Sequence, residues 1–182
     1  MKYYVLPFMV IVSIILILLS GNFSSSLTKI KLDRKIKSEI FNEYNNKYLF
    51  VFFGYVGCRD ICTPRLQELS PIYEELKSKH HIDIDTIFIN ITKLQDKEQA
   101  ELFAKYFHKE FDGIYLNNDK IQKVKNEFDI YSSPSLTSKG DFDHTAFLFL
   151  LKKQKNNYYL KRIYTYSPFD KDVIVKDILE GI

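Results

Sequence analysis

Cys58 and Cys62 are the residues of this chain best suited to chemistry, and they are its only cysteines. They lie in the segment G-C-R-D-I-C-T-P, between a predicted buried strand and the helix predicted to follow it. A helix N-terminus lowers the pKa of a thiol and so favours the thiolate, which metal binding and thiol–disulfide exchange both require. The pair therefore indicates either a metal site or a redox-active dithiol.

The four-residue separation of the cysteines favours a metal chelate slightly over a disulfide. On one face of a helix the two Cβ atoms would lie about 5–6 Å apart, whereas a disulfide holds them about 3.5–4.5 Å apart. Two thiolates on one metal ion can lie farther apart, because each metal–sulfur bond is about 2.3 Å long. A structural disulfide remains an alternative, but it would close only a small loop and gain little from chain entropy.

A histidine is the residue type that most often completes a two-thiolate copper or zinc site. His144 lies in G-D-F-D-H-T, directly before the apolar run T-A-F-L-F-L-L, which places it at the start of a predicted central strand. Two roles are open for His144: it is either the third metal ligand or a loop histidine held by Asp143. Spacing alone favours neither role. Solvated positions at helix ends are predicted for the other three histidines: His80, His81 and His108.

The elements that would position these residues alternate between strand and helix. Residues 48–53, Y-L-F-V-F-F, are typical of a strand buried on both faces. Further strands are predicted at 82–90, 111–116, 145–151 and 158–166, and helices at 66–76, 100–107, 121–128 and from residue 170, with Asp119 as a helix cap. This order indicates an α/β sandwich with a mixed sheet. No structure is predicted for residues 28–46.

The N-terminal segment predicts a membrane anchor. Residues 3–19 are uncharged and almost wholly apolar, and about 17–25 such residues suffice to span a bilayer. The division expected is residues 1–21 as anchor, 22–46 as linker and extension, and 47–182 as the soluble domain. A cleaved signal segment is the alternative for residues 1–21, and both interpretations export the domain.

Composition limits the classes of partner. Of the 182 residues, 26 are Lys or Arg and 23 are Asp or Glu, so the formal net charge is only +3. Because this excess is small and scattered, we expect no nucleic-acid partner. Two cysteines also exclude a four-cysteine zinc site.

The motifs F-F-G-Y-V-G-C-R-D-I-C-T-P and D-H-T before an apolar strand resemble those of the Sco/SenC family. Its members are membrane-anchored, thioredoxin-like copper proteins involved in assembling cytochrome c oxidase. The resemblance covers roughly residues 48–182, includes Y-S-S-P at 131–134, and extends to an anchor ahead of the domain. It implies a thioredoxin-like sandwich with a mixed sheet, preceded by one N-terminal transmembrane helix.

The resemblance also implies a ligand set. Cys58, Cys62 and His144 match the copper ligands of the family, which hold Cu(I) or Cu(II). Asp60 matches an acidic residue of the cysteine loop, and Asp143 matches the residue before the ligand histidine, where it is expected to orient that histidine. Some positions depart from the family pattern without removing a ligand: Arg59, Thr63 with Pro64, and residues 90–92.

The function that the resemblance implies is a copper chaperone that delivers copper to the binuclear centre of cytochrome c oxidase, or reduces its cysteines. Expected partners are oxidase subunit II or another copper-receiving protein, a thiol reductant protein, and the membrane. The expected location is a bacterial inner membrane, crossed once, with the soluble domain in the periplasm. The alternative is a thiol–disulfide oxidoreductase that uses Cys58 and Cys62 as a redox pair without metal.

Overall fold

The structure is a computed structural model that describes residues 9, 11–14, 29–93, 98–135 and 142–182. The predicted anchor, residues 1–21, lies outside these residues except for Met9 and residues 11–14, which are helical. Within the described part of the chain, no helix combines the length and the apolar character needed to cross a bilayer.

A six-stranded mixed sheet forms the centre of the domain. Its strand order is β1-β8-β7-β2-β3-β4, with β2, β3 and β4 parallel and the other neighbours antiparallel, while β5 and β6 pair apart from it. The mixed sheet predicted from the alternation of elements is therefore confirmed. The strands are β1 (Lys29–Lys35), β2 (Tyr48–Gly54), β3 (Ile84–Asn90), β4 (Phe111–Tyr115), β5 (Ser132–Pro134), β6 (Phe142–His144), β7 (Leu148–Gln154) and β8 (Asn157–Tyr164).

Helices cover both faces of the sheet. The α-helices are α1 (Cys62–Ser78), α2 (Glu98–Phe107), α3 (Asn118–Glu127) and α4 (Lys171–Leu179), and a 3-10 helix spans Glu39–Glu43. Strand β2 is buried along its whole length and alternates between two cores. Tyr48, Phe50 and Phe52 pack in the core that contains the apolar faces of α1 and α4. Leu49, Val51 and Phe53 pack in the core that contains α3 and the 3-10 helix.

Helix ends follow local chemistry. Pro64 lies in the first turn of α1, where its missing N–H costs nothing, and the helix continues through Pro71. The cap of α3 is Asn117, whose side chain accepts a hydrogen bond from the Lys120 amide, and not Asp119 as the pattern predicted. Asp170 caps α4 in the same way.

Two features differ from the sequence-based expectation. Strand β1 and the 3-10 helix lie within residues 28–46, for which no structure was predicted, and β1 extends the sheet upstream of residue 47 by pairing with β8. His144 does not start the central strand. It ends β6, which pairs with β5, and β7 begins only at Leu148.

Candidate metal centre

The cysteine loop is a tight turn at the carboxyl end of β2. Gly57 has φ +88°, a backbone conformation that favours glycine, and the Cys58 amide donates to the carbonyl of Tyr55 at 3.2 Å. The Val56 amide donates to Oδ1 of Asn90, at the end of the neighbouring strand β3, at 3.0 Å. These contacts fix the start of the loop against the sheet.

The sulfur of Cys58 accepts a hydrogen bond from the first residue of helix α1. The Cys62 amide donates to Sγ of Cys58 at 3.3 Å, and the Thr63 hydroxyl donates to the Cys58 carbonyl at 2.8 Å. The first amides of a helix have no partner within the helix, so this sulfur takes the place of an N-capping oxygen. A thiolate at this position is favoured by the helix dipole.

Gly54 makes room for the second sulfur. A Cβ at residue 54 would lie 2.6 Å from Sγ of Cys62 and 2.9 Å from the ring of Phe88. Any side chain there would displace the Cys62 thiol, which is fully buried. The glycine that ends F-F-G is therefore required by close approach to the sulfur.

His144 reaches the cysteine loop from the β5–β6 pair. Directly next to the Ser132–His144 pair, Tyr131 and Thr145 exchange hydrogen bonds: the Tyr131 amide donates to the Thr145 hydroxyl, and the Thr145 amide donates to the Tyr131 carbonyl. The ring of Tyr55 meets the imidazole edge-on, with centroids 5.7 Å apart. So held, Nε2 of His144 lies 3.3 Å from Sγ of Cys62.

The structure brings Cys58, Cys62 and His144 together. One donor atom from each of the three lies within 4.8 Å of the other two. Both cysteines are buried free thiols, and His144 is partly exposed. Two sulfurs and one imidazole nitrogen form a soft donor set of the kind that copper(I) and zinc prefer. The arrangement fits a metal ion. It also fits thiol–disulfide exchange, because it places a reduced pair of cysteines beside the imidazole of His144, which can act as a base.

The two thiols differ in pKa. The hydrogen bond with Cys62 lowers the pKa of Cys58 well below that of an ordinary cysteine; burial opposes this, and His144 adds to it. The hydrogen bond with Cys58, together with burial, raises the pKa of Cys62. These shifts favour a thiolate on Cys58 and a neutral thiol on Cys62 in the reduced site.

The two carboxylates singled out in the sequence do not touch the donor atoms in any contact the structure shows. Asp60 and Asp143 are exposed, and both line an open hollow of about 540 Å³ that has His144 in its wall. Nδ1 of His144 is buried and has no hydrogen-bond partner within the described residues. No hydrogen bond joins Asp143 to His144 among the described residues, and the orienting role expected of Asp143 stays a prediction.

Arg65 supports the site and was not found by sequence reasoning. It is buried one turn after Cys62, and its Nη1 donates to the carbonyl of Tyr166 at 2.6 Å. Its guanidinium lies 4.3 Å from the ring centroid of Phe169, whose amide donates to Glu68. These contacts hold residues 166–169 against α1, beside the hollow. The sequence signal that could have identified Arg65 is its charge, because the residue lies on the apolar stripe of the predicted helix.

The other histidines lie elsewhere. His108 contacts Glu74 through Nε2 at 3.1 Å, and His80 lies 3.9 Å from Glu75. Within the described residues, Cys58, Cys62 and His144 are the one group of three or more metal-ligating side chains that could hold an ion. Of the four histidines, the structure thus places only His144 beside the sulfurs.

Comparison with known proteins gives a consistent family. Residues 33–180 match the family described as SCO1/SenC. A SCO2-like protein of Rickettsia conorii is 32% identical over 133 residues, which cover 69% of this chain and 63% of that relative, slightly less than two thirds of its length.

Solved structures show the same fold. The apo Sco1 protein of Thermus thermophilus has a TM-score of 0.62 at 25% identity, over 86% of this chain and 94% of that one. Arabidopsis thaliana ScoI, solved with copper bound, has a TM-score of 0.66 at 19% identity, over 83% and 96%. The predicted thioredoxin-like sandwich is confirmed by these likenesses.

Proposed function

The chain belongs to the SCO1/SenC family, and we propose that it is a copper chaperone whose cargo is held by Cys58, Cys62 and His144. The observation that carries the proposal is the convergence of two sulfurs and an imidazole nitrogen within 4.8 Å. Copper(I) prefers such soft donors, and a similar fold has been solved with copper bound. The proposal includes a role in cytochrome c oxidase assembly, which the family resemblance implies.

Metal uptake follows from the difference between the thiols. The Cys58 thiolate, held at the start of α1, offers a ready first ligand. Cys62 must lose its proton before it can bind, because metal ligation requires the thiolate. Nε2 of His144, 3.3 Å from that sulfur, is placed to accept this proton or to bind the metal once unprotonated. Thiolates of a receiving protein then displace the ligands one at a time, so that no free ion is released.

The proposal also includes the cellular location of the protein and its partners. Residues 1–21 anchor the chain in a bacterial inner membrane, residues 22–46 link and extend it, and the domain from 47 to 182 faces the periplasm. The receiving protein is cytochrome c oxidase subunit II or another copper-accepting protein, and a thiol reductant protein keeps the cysteines reduced. The apolar run of residues 3–19 supports the anchor.

The test is an anaerobic Cu(I) titration of the reduced full chain in detergent against a competing chelator. We expect one tightly bound Cu(I) per chain, and in His144→Ala an affinity lower by about tenfold or more, because even residues that only support metal ligands change affinity by about 10–100-fold. His108→Ala is the matched control, since His108 lies away from the sulfurs, and should bind as wild type does. Binding that is absent, or indifferent to His144, would overturn the proposal.

A thiol–disulfide oxidoreductase is the second candidate, favoured by the split in thiol pKa. The Cys58 thiolate would attack a client disulfide and form a mixed disulfide, releasing one client thiolate. Cys62, deprotonated by His144, would then attack Cys58 and release the second, leaving a Cys58–Cys62 disulfide for a reductant protein to restore. Client reduction that persists after strict removal of copper would place this function first.

A further inference from the structure

The metal site and the beginning of β1 lie at the same end of the sheet. The strand register aligns Lys29 with Tyr164, Tyr164 with Leu148, and Leu148 with Phe52. The cysteine loop follows two residues beyond Phe52, and His144 precedes Leu148 by four residues. We call this the ligand end of the sheet. The chain that comes from the proposed anchor therefore joins the sheet where the metal donors are.

The connection to that end is short. Residues 22–28 separate the proposed anchor from β1, and seven residues span at most about 25 Å. Across the sheet, β1 lies three strand spacings from β2, which is about 14 Å. Given the proposed anchor, on which this step rests, the ligand end cannot move far from the bilayer surface.

Exposed apolar side chains gather at the same end. Ile30 is the second residue of β1, Ile61 lies in the cysteine loop, Tyr131 lines the hollow beside His144, and Tyr166 follows β8. Each is more than 40% exposed, and Tyr131 is 64% exposed. Within the described part of residues 29–182, only three other large hydrophobic side chains are similarly exposed, and they lie outside this end: Leu102, Tyr106 and Leu179. Tyrosine and isoleucine suit the boundary between headgroups and acyl chains.

Charge does not oppose this placement. Near the ligand end, exposed charges of both signs are mixed: Lys31, Arg59 and Lys171 occur with Asp60, Asp143, Asp170 and Asp172. A more basic groove lies at the opposite end, since Lys35 aligns through Tyr159 and Lys152 with Tyr48, the first residue of β2. That groove also contains acidic side chains, and its charged lining is Arg34, Lys35, Lys37, Lys120, Lys123, Glu39, Glu43 and Glu127.

We propose that the ligand end lies against the bilayer surface, with Ile30, Ile61, Tyr131 and Tyr166 at the headgroup level. The metal site then faces along the membrane and exchanges its ion at that height. The kind of partner it fits is an integral membrane protein whose metal-receiving side chains lie at the bilayer surface, rather than a protein that meets the domain far from the membrane.

The absence of tryptophan from the sequence allows a direct test. A single tryptophan is introduced in the full chain as Tyr131→Trp, and the protein is reconstituted in phosphatidylcholine–phosphatidylglycerol vesicles that carry a nitroxide on their headgroups. The matched variant is Asn42→Trp, at an exposed position lining the basic groove. We expect Tyr131→Trp to lose most of its fluorescence and Asn42→Trp to lose little. Tyr166→Trp, expected to be quenched as well, serves if Tyr131→Trp does not fold.

Flotation of the vesicles separates this inference from the proposed anchor. A chain that does not float with the vesicles would overturn the anchor and, with it, this orientation. A chain that floats while its tryptophan at 131 or 166 stays unquenched would overturn the orientation alone and leave those side chains for a protein partner. Stronger quenching of Asn42→Trp would show that the basic groove faces the lipid instead, and would also overturn it.

Discussion

At the scale of single residues, the asymmetry between Cys58 and Cys62 comes from their places in one turn of helix. The hydrogen bond between the two thiols lowers the pKa of Cys58 and raises that of Cys62. Cys58 precedes α1, so its sulfur also receives the Cys62 amide, whereas Cys62 lies inside the helix; both side chains are buried. A charged sulfur is stabilised by such an amide and penalised by burial. The same two residue types thus acquire different protonation states from a separation of four positions.

This asymmetry predicts a one-thiolate state of the reduced, metal-free protein. Because the pKa of Cys58 is lowered and that of Cys62 is raised, thiolate absorbance should correspond to one sulfur per chain at about pH 6, where an ordinary thiol of pKa about 8.5 is protonated. It should fall only in stronger acid. The ultraviolet thiolate band, followed with pH, measures this directly.

Cys58→Ser is the informative control for that titration. It removes the sulfur that carries the charge and leaves Cys62 buried, so the absorbance at about pH 6 should disappear, because burial disfavours the charged form. A wild-type band that rises only near the pKa of an ordinary thiol, or a Cys58→Ser variant that keeps it, would contradict the assignment of the thiolate.

At the scale of elements, one buried carboxylate holds the edge strand in place. Asp177 of α4 pairs with Lys29 of β1, lies 3.5 Å from Nε of Arg162, and accepts a hydrogen bond from the Tyr164 hydroxyl at 3.1 Å. Burial, followed by the Asp177 charge, raises the pKa of Tyr164, so the phenol stays protonated and donates. Three elements therefore depend on one side chain.

Asp177→Ala should lower the free energy of unfolding by about 3 kcal/mol, because it removes a buried carboxylate from the partly buried cations Lys29 and Arg162. Amide hydrogen exchange should accelerate first in residues 29–35. Glu180→Ala, which removes an exposed carboxylate near the end of the same helix, should cost less than about 1 kcal/mol. Denaturant unfolding of the two variants measures the difference, and equal losses would show that the buried cluster contributes little.

The elements that sequence patterns could predict are those whose residues bury a regular face. Strand β2 and helix α1 have continuous or periodic apolar residues, and both were predicted. Strand β1 was missed because it is an edge strand with alternating charges, K-I-K-L-D-R-K, which protects its free edge but hides its periodicity. The β5–β6 pair was missed because three-residue strands have no period.

Prediction of the candidate site from the sequence was limited in the same way. Cys58, Cys62 and His144 were selected from their types and from the flanking motifs, and the structure brings them together. The contribution of Gly54 depends on a sulfur that approaches it from eight residues away, and that of Arg65 on Tyr166, a hundred residues later. Such contacts follow from the packing of α1 against the end of β2 and against residues 166–169, which no local pattern contains.

At the scale of the whole molecule, a bound metal would join two segments that are 82 residues apart, through Cys62 and His144. The folded chain presents all three donors together, whereas the unfolded chain offers two nearby cysteines and a distant histidine. A ligand that binds the folded state more tightly stabilises it by mass action, by about 4 kcal/mol at a thousand times Kd when the unfolded state does not bind.

One equivalent of Cu(I) should therefore raise the melting temperature of the reduced protein. For a domain of this size, each kcal/mol of added stability raises the melting temperature by about 2–4 °C. In His144→Ala the increase should be much smaller, because folded and unfolded chains then offer the same two cysteines and the differential affinity largely disappears. His108→Ala should keep the wild-type increase. Anaerobic thermal melts with and without Cu(I) compare the three proteins, and an equal increase in His144→Ala would show that this histidine does not couple metal binding to the fold.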